Sequence, residues 1–196
     1  MKLTLAIVFG LLSCLSLDAA PVADACGAWP QPGFDGPTMR RFVGDYANPN
    51  YGFAVRIPDG LAGHDILAPA PHHGFGIVLQ WEPRAYINFD GSYNAAESPL
   101  AEIEASYLKS RRDESERVLT VQRESAKLGP LNAQRIVVRR TCKGHAGTFV
   151  ADETLALSAD QRILYSATLL TLEERFERDR AVLSEMLKTW RLSAIR

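Results

Sequence analysis

The chain has 196 residues, of which 46% are hydrophobic and 23% charged, and its formal net charge is −1. That apolar content excludes a disordered chain, and the balanced charge offers no global field for nucleic acid or an anionic surface. One domain with a core of ordinary size is the expectation.

The first element in chain order is an export signal. Lys2 precedes an apolar run from Leu3 to Leu12, with Leu15 and Leu17 beyond it, and Asp18 ends the run. A positive start, a short hydrophobic stretch and small residues up to Ala25 form the layout of a secretory signal. The run is shorter than the roughly 20 apolar residues of a permanent bilayer span. A cut after Ala23-Asp24-Ala25 leaves Cys26 as the new N-terminus; a cut after Ala20 is poorer, because Pro21 follows it. The alternative is Leu11-Leu12-Ser13-Cys14, which resembles a bacterial lipobox with Cys14 as the lipid-bearing first residue. The expected location is therefore outside the cytoplasm, periplasmic or secreted, or alternatively lipid-anchored to the bacterial envelope. Losing Lys2, Asp18 and Asp24 with residues 1–25 takes the basic count from 22 to 21 and the acidic count from 23 to 21, a formal charge of zero.

Cleavage or lipidation at the N-terminus removes Cys14 from the count and leaves Cys26 and Cys142. In an oxidising compartment an isolated pair is most simply a disulfide. Closing so long a loop is worth about 4–5 kcal/mol on the chain-entropy model. Two free thiols are the competing reading. A metal site is not expected, since Cys142 and His145 supply only two ligands.

Residues 26–50 read as a Pro/Gly-rich lead-in, with Trp29 and Phe34 to pack it on the domain. Asn48-Pro49-Asn50 marks a turn, and residues 51–196 are expected to form a single α+β domain. Tyr51 to Ile57 reads as a strand, with Phe53, Val55 and Ile57 on one face. Residues 58–74 read as a loop rich in Gly, Pro and His. Phe75 to Trp81 is a second strand, and Ala85 to Phe89 a third, ending at the turn dipeptide Asp90-Gly91. Ser98-Pro99 opens a helix, with Leu100, Ile103, Tyr107 and Leu108 on its apolar side and a solvated end at residues 109–114. Strands follow at Arg117–Lys127, Ala133–Arg140, Thr148–Leu157 and Arg162–Leu170, an antiparallel meander with one core face and one solvated face. Thr171-Leu-Glu-Glu174 reads as a capping box. Leu172, Phe176, Leu183, Met186, Leu187 and Trp190 then share one side of a helix. Arg191 to Ile195 adds a short edge strand.

The opening Tyr51-Gly-Phe-Ala-Val-Arg-Ile-Pro58, together with this order of elements, resembles the PsbP/MOG1-like sandwich domains over about residues 50–195. The resemblance implies an antiparallel sheet of about six to seven strands flanked by two main helices. That superfamily contains photosystem accessory subunits, a GTPase-binding nuclear transport factor, secretion chaperones and bacterial envelope proteins. It implies a binding scaffold rather than an enzyme and assigns no site residue.

Two stretches stand out as candidate contact surfaces. Tyr86, Asp90, Ser92, Tyr93 and Asn94 make a polar-aromatic run suited to protein contacts, or simply a connecting loop. Arg139, Arg140, Lys143 and His145 make a local basic patch for an anionic group, or charges that protect a sheet edge. His64, His72 and His73 form the only His cluster, which a metal or a pH-sensitive contact would use; adjacent histidines in such a loop are more often simply exposed, and no metal is expected. No nucleophile elbow, phosphate loop, metalloprotease helix or dinucleotide glycine pattern is present. The expected function is a non-enzymatic envelope binding or accessory protein, such as an inhibitor or immunity protein. Its partner is an unspecified envelope protein. No cofactor and no nucleic acid are expected, and a membrane only through Cys14. The alternatives are a small periplasmic hydrolase or a structural lipoprotein.

Overall fold

Alternation in the long strands decides the architecture. In the computed structural model, which describes residues 39–66, 73–81, 85–113 and 115–194, the strand β10 (Ile163–Leu172) sends Ile163, Tyr165, Ala167 and Leu169 to one face. Leu164 goes to the other. Around it lie β5 (Gly74–Gln80) and β6 (Ala85–Tyr93) on one side. On the other lie β9 (Phe149–Leu157), β8 (Leu131–Thr141) and β7 (Arg117–Leu128). With β1 (Met39–Phe42) and β4 (Gly63–Ile66) they form an eight-stranded antiparallel sheet, order β1-β4-β5-β6-β10-β9-β8-β7. A second sheet of three strands is built from β2 (Asp45–Asn48), β3 (Phe53–Arg56) and β11 (Arg191–Leu192). The expected signal segment 1–25 with Cys14, residues 26–38 with Cys26, His72, and Ile195 lie outside the described residues.

One helix covers each face of the large sheet. α1 (Leu100–Asp113) packs Leu108 with Ile136, Val138 and Leu155, and Leu100, Ile103 and Tyr107 join them. α2 (Phe176–Thr189) packs Phe176, Leu183 and Met186 on the opposite face, beside the small sheet. Burying each such side chain is worth about 1.5–3 kcal/mol. β9 is covered from both sides, so eight of its nine residues are buried.

The expected single sheet of about six to seven strands is corrected to eight strands plus a second sheet of three. The missing strands lay in segments read as lead-in and loop. Met39–Phe42 pairs with Gly63–Ile66, and Tyr46 and Asn48 alternate inward along β2. Pairing partners over twenty residues apart leave little trace in local composition.

Asp90-Gly91 is not a turn. β6 runs on to Tyr93, with Gly91 paired to Tyr165. A Cβ at Gly91 would stand 2.7 Å from Tyr51 Cβ, so glycine is what lets the small sheet close on the large one. Tyr165 seals that contact by donating its hydroxyl to the Tyr51 carbonyl at 2.7 Å.

The capping box is also absent. β10 continues through Leu172, a 3-10 turn follows at Glu173–Arg175, and α2 begins at Phe176 with no side-chain cap. Thr171 instead donates its hydroxyl to Asp179 Oδ2 at 2.5 Å, and Arg175 donates to the same carboxylate. Gly129, at φ +54°, makes the turn between β7 and β8 under the Trp190 ring. Among the described residues no helix is long and apolar enough to cross a membrane.

Candidate binding surface

The run from Tyr86 to Asn94 is a strand and its exit, not a loop, so its residues part company. Tyr86 and Asp90 point toward the α1 side, across from Leu170 and Ser166 of β10. Asn94 is a structural brace: its amide donates to the Ser98 and Gln161 carbonyls, and its oxygen accepts the Ser98 N–H. Tyr93 is the one fully exposed residue of the run, at 64%, with its ring 5.2 Å from that of Tyr51, while Tyr86, Asp90, Ser92 and Asn94 are half-buried.

The basic patch does not assemble either, because consecutive strand residues face opposite ways. Arg139 lies on the α2 face, where it grips the Glu173 carboxylate at 2.9 and 3.1 Å and lies over the Phe176 ring. Arg140 is fully buried under α1 and reaches the Arg111 carbonyl. Lys143 and His145 are exposed in the connecting loop, with His145 edge-on to Phe149. Cys142 is buried in a small cluster with Phe149 and Leu172. A shallow cavity of about 560 Å³ opens beside this loop, lined by Gly147, Thr148, Glu173 and Glu174 among others.

Sequence reasoning missed two buried acidic positions in β9. Asp152 faces α2 and is held by Arg135 at 2.7 and 2.6 Å. These bonds and those to Glu124 hold the Arg135 guanidinium well above its ordinary value. Glu153 faces α1, 6% exposed, and accepts the Thr168 hydroxyl at 2.6 Å. Burial pushes its carboxyl up to about 7, against the pull of Thr168 and Arg111. Asp90, two strands away, is pushed up to about 6 by burial, with His73 pulling it back. The Tyr107 hydroxyl from α1 is buried here with no hydrogen-bond partner.

The structure assembles a different surface at the end of the molecule where β2 turns into β3. Asn48 is its hub. Its oxygen accepts the N–H groups of Asn50 and Tyr51, while its amide donates to the Tyr46 hydroxyl and the His73 carbonyl. On one side of this hub, the Tyr51 ring stacks on His73 at 5.3 Å and touches Tyr93. On the other side is a cavity of about 370 Å³, lined by Arg40, Tyr46 to Asn50 and Asp65. Asp65 is 3% exposed and ion-paired to Arg40. Burial and the Asp65 carboxylate together push the Tyr46 phenol above its ordinary value. Of the expected histidines, His64 sits in β4 opposite Gly76, and His73 bonds the Gly91 carbonyl through its ring at 3.0 Å. Among the described residues no group of three or more His, Cys, Asp or Glu could hold a metal ion. Asp65 and Arg40 gave no signal in the sequence, since both lie in segments without readable periodicity.

No family model matches the chain, and no curated protein matches it. Solved structures do. The cyanobacterial PsbP (CyanoP) of Synechocystis sp. PCC 6803 is 11% identical, with 79% of this chain and 92% of that one covered and a TM-score of 0.53. A protein from Bacteroides thetaiotaomicron VPI-5482 is 10% identical, with 76% and 48% covered and a TM-score of 0.46. LpqN, involved in cell envelope biogenesis of Mycobacterium tuberculosis, is 10% identical, with 82% and 94% covered and a TM-score of 0.43. The first of these shows that this chain has a PsbP-like fold: a mixed α/β protein with one large antiparallel sheet and two helices.

Proposed function

We propose that this chain is an exported accessory protein of the bacterial envelope that acts by binding another protein, without catalysis of its own. The observation that carries the reading is Tyr93: a large aromatic ring, 64% exposed, set against Tyr51, whose own ring stacks on His73. A rigid aromatic that projects from a well-packed base is the kind of residue that anchors protein interfaces. The export half of the reading is supported by Lys2, the Leu3–Leu12 run and the small residues before Cys26. A Cys26–Cys142 disulfide belongs to this reading and would tie the N-terminal segment to the domain in an oxidising compartment.

The test is a photo-crosslinking amino acid placed at Tyr93 in the full chain, expressed in a bacterial envelope. One discrete adduct at Tyr93, absent when the same probe sits at exposed Leu119 on the far strand β7, is the expected result. Equal labelling from both positions, or none from Tyr93, overturns the reading. Intact mass of the purified protein checks export separately: a chain starting at Cys26 is expected, a chain retaining residues 1–25 is not.

A further inference from the structure

α1 covers only part of its face of the large sheet. The apolar cluster beneath it takes in Ile136, Val138 and Leu155 and reaches β10 at Leu164. Farther along the same face Leu170 is 2% exposed, yet it joins none of the apolar clusters formed by the described residues. Its neighbour Tyr86 in β6, and Val78 beyond that in β5, are half-buried. Burial also pushes the Asp90 carboxyl on this face up to about 6, against the pull of His73. A sheet with one wet face alternates buried and half-exposed residues. β10 does so from Ile163 to Leu169 and breaks the pattern at Leu170. A cover from outside the described residues accounts for these observations together.

Connectivity narrows what the cover is. Residues 67–72 join β4 to β5 at the far end of the strands, and residues 82–84 are taken up in joining β5 to its neighbour β6. Residues 26–38 enter the sheet at Met39, which stands in line with Asp90, Ser166 and Gln134. Cys142 lies at the Leu170 end, beyond Gln134 in chain order. Strand spacings of about 4.8 Å across the sheet and about 3.3 Å per residue along β8 put it about 39 Å from Met39 on a flat sheet. A run carrying Pro30, Pro32 and Pro37 is extended, about 3.1 Å per residue, and reaches about 40 Å from Met39 back to Cys26. The straight path crosses β6 and β10 close to Tyr86 and Leu170. It takes the α1 side, because α2 and the small sheet occupy the other face. An extended chain makes no hydrogen bonds of its own; Asn88 and Ser166 offer half-buried polar groups along the way, and Trp29 and Phe34 bring apolar surface for Leu170. We propose that residues 26–38 form a strap across the Tyr86–Leu170 strip, fastened at its far end by the Cys26–Cys142 disulfide, so that reduction lifts the strap and opens the strip. The fastening rests on the exported reading for its oxidising setting. Closing it removes two protons and two electrons from the thiols and passes them to a disulfide oxidant, which becomes two thiols.

The test places a photo-crosslinking amino acid at Gln31, near the middle of the strap, in the full chain purified and oxidised with glutathione disulfide. Oxidation in the tube makes the result independent of export. Peptide mapping is expected to find adducts within residues 78–88 and 164–170, several-fold weaker after dithiothreitol. Cys26→Ser changes a residue that precedes β1 and is expected to keep the fold while weakening the adducts as reduction does. Adducts confined to other parts of the chain, or none within the chain, overturn the strap. Adducts on the strip that survive both reduction and Cys26→Ser overturn the redox device. Tyr93→Ala is expected to leave the strap adducts unchanged, so loss of the protein contact and loss of the strap are read apart.

Discussion

Asp152 and Glu153 are neighbours in β9, and they show how differently the two faces of the large sheet are built. Asp152 faces α2 and receives two charge-assisted bonds from Arg135, with Arg180 at 3.8 Å. Glu153 faces α1 and receives one hydroxyl, with Asp152 and Asp90 adding negative potential. A buried carboxyl whose donor is a single neutral hydroxyl is held toward its protonated form, as Glu153 is. The α2 face also carries the main core, where Phe53 packs against Tyr165 and Trp190. The α1 face has a smaller apolar cluster around Leu108 and a polar layer beside it. One face is built for stability, and the other holds groups whose charge depends on pH.

Four substitutions sharpen or break that contrast. The largest effect is expected from Phe53→Ala, about 3–5 kcal/mol of lost stability in urea unfolding, because it opens a cavity where both sheets meet. Leu108→Ala, the matching change under α1, is expected at the low end of that range or below it, about 2 kcal/mol. Equal losses would erase the distinction between the faces.

Next comes Glu153→Gln. Folding raises this carboxyl from 4.5 to about 7, so the folded state favours the protonated form. The stability that this group contributes is full below about pH 4.5 and is lost as pH rises through 7. Glutamine mimics the neutral form at every pH. The variant is therefore expected to be more stable than the parent at pH 8, by about 2–3 kcal/mol, and equal to it near pH 4. A variant that is less stable at pH 8 would mean that Glu153 is ionised and paired in the fold.

The smallest effect belongs to the ion pair that links α1 to the edge strand. Arg123 Nε lies 2.6 Å from Glu104 Oε1, but Arg123 is more than half exposed. Arg123→Gln is expected to lower stability by about 0.5 kcal/mol at low salt, and by less in 0.5 M salt. A loss that salt does not reduce would place this pair in a drier setting than its exposure indicates.

Periodicity made much of the fold legible in the sequence. The strands at Tyr51–Ile57, Phe75–Trp81, Arg117–Lys127 and Ala133–Arg140, and those at Thr148–Leu157 and Arg162–Leu170, all appear within a few residues of their expected limits. Both helices are in place, with Leu108, Leu183, Met186 and Trp190 turned inward. Ile136 and Val138 do fall on one side and Val137 on the other, as alternation demanded.

The candidate surface was much less legible. Tyr93 is the one residue of the expected polar-aromatic run that is fully exposed rather than half-buried, and the basic patch is divided between the two faces and the loop. Those readings treated residues adjacent in sequence as adjacent in space, which a strand forbids beyond one side chain in two. A local pattern reports only which face a residue takes. Whether a carboxylate there meets an arginine, as Asp152 does, or a single hydroxyl, as Glu153 does, depends on strands brought alongside from elsewhere in the chain. The sequence by itself determined the periods, the two helices and the sign of each charge. Tertiary structure alone decided that Arg40 would meet Asp65 beside Asn48, because backbone pairing between β1 and β4 carries no local side-chain signature.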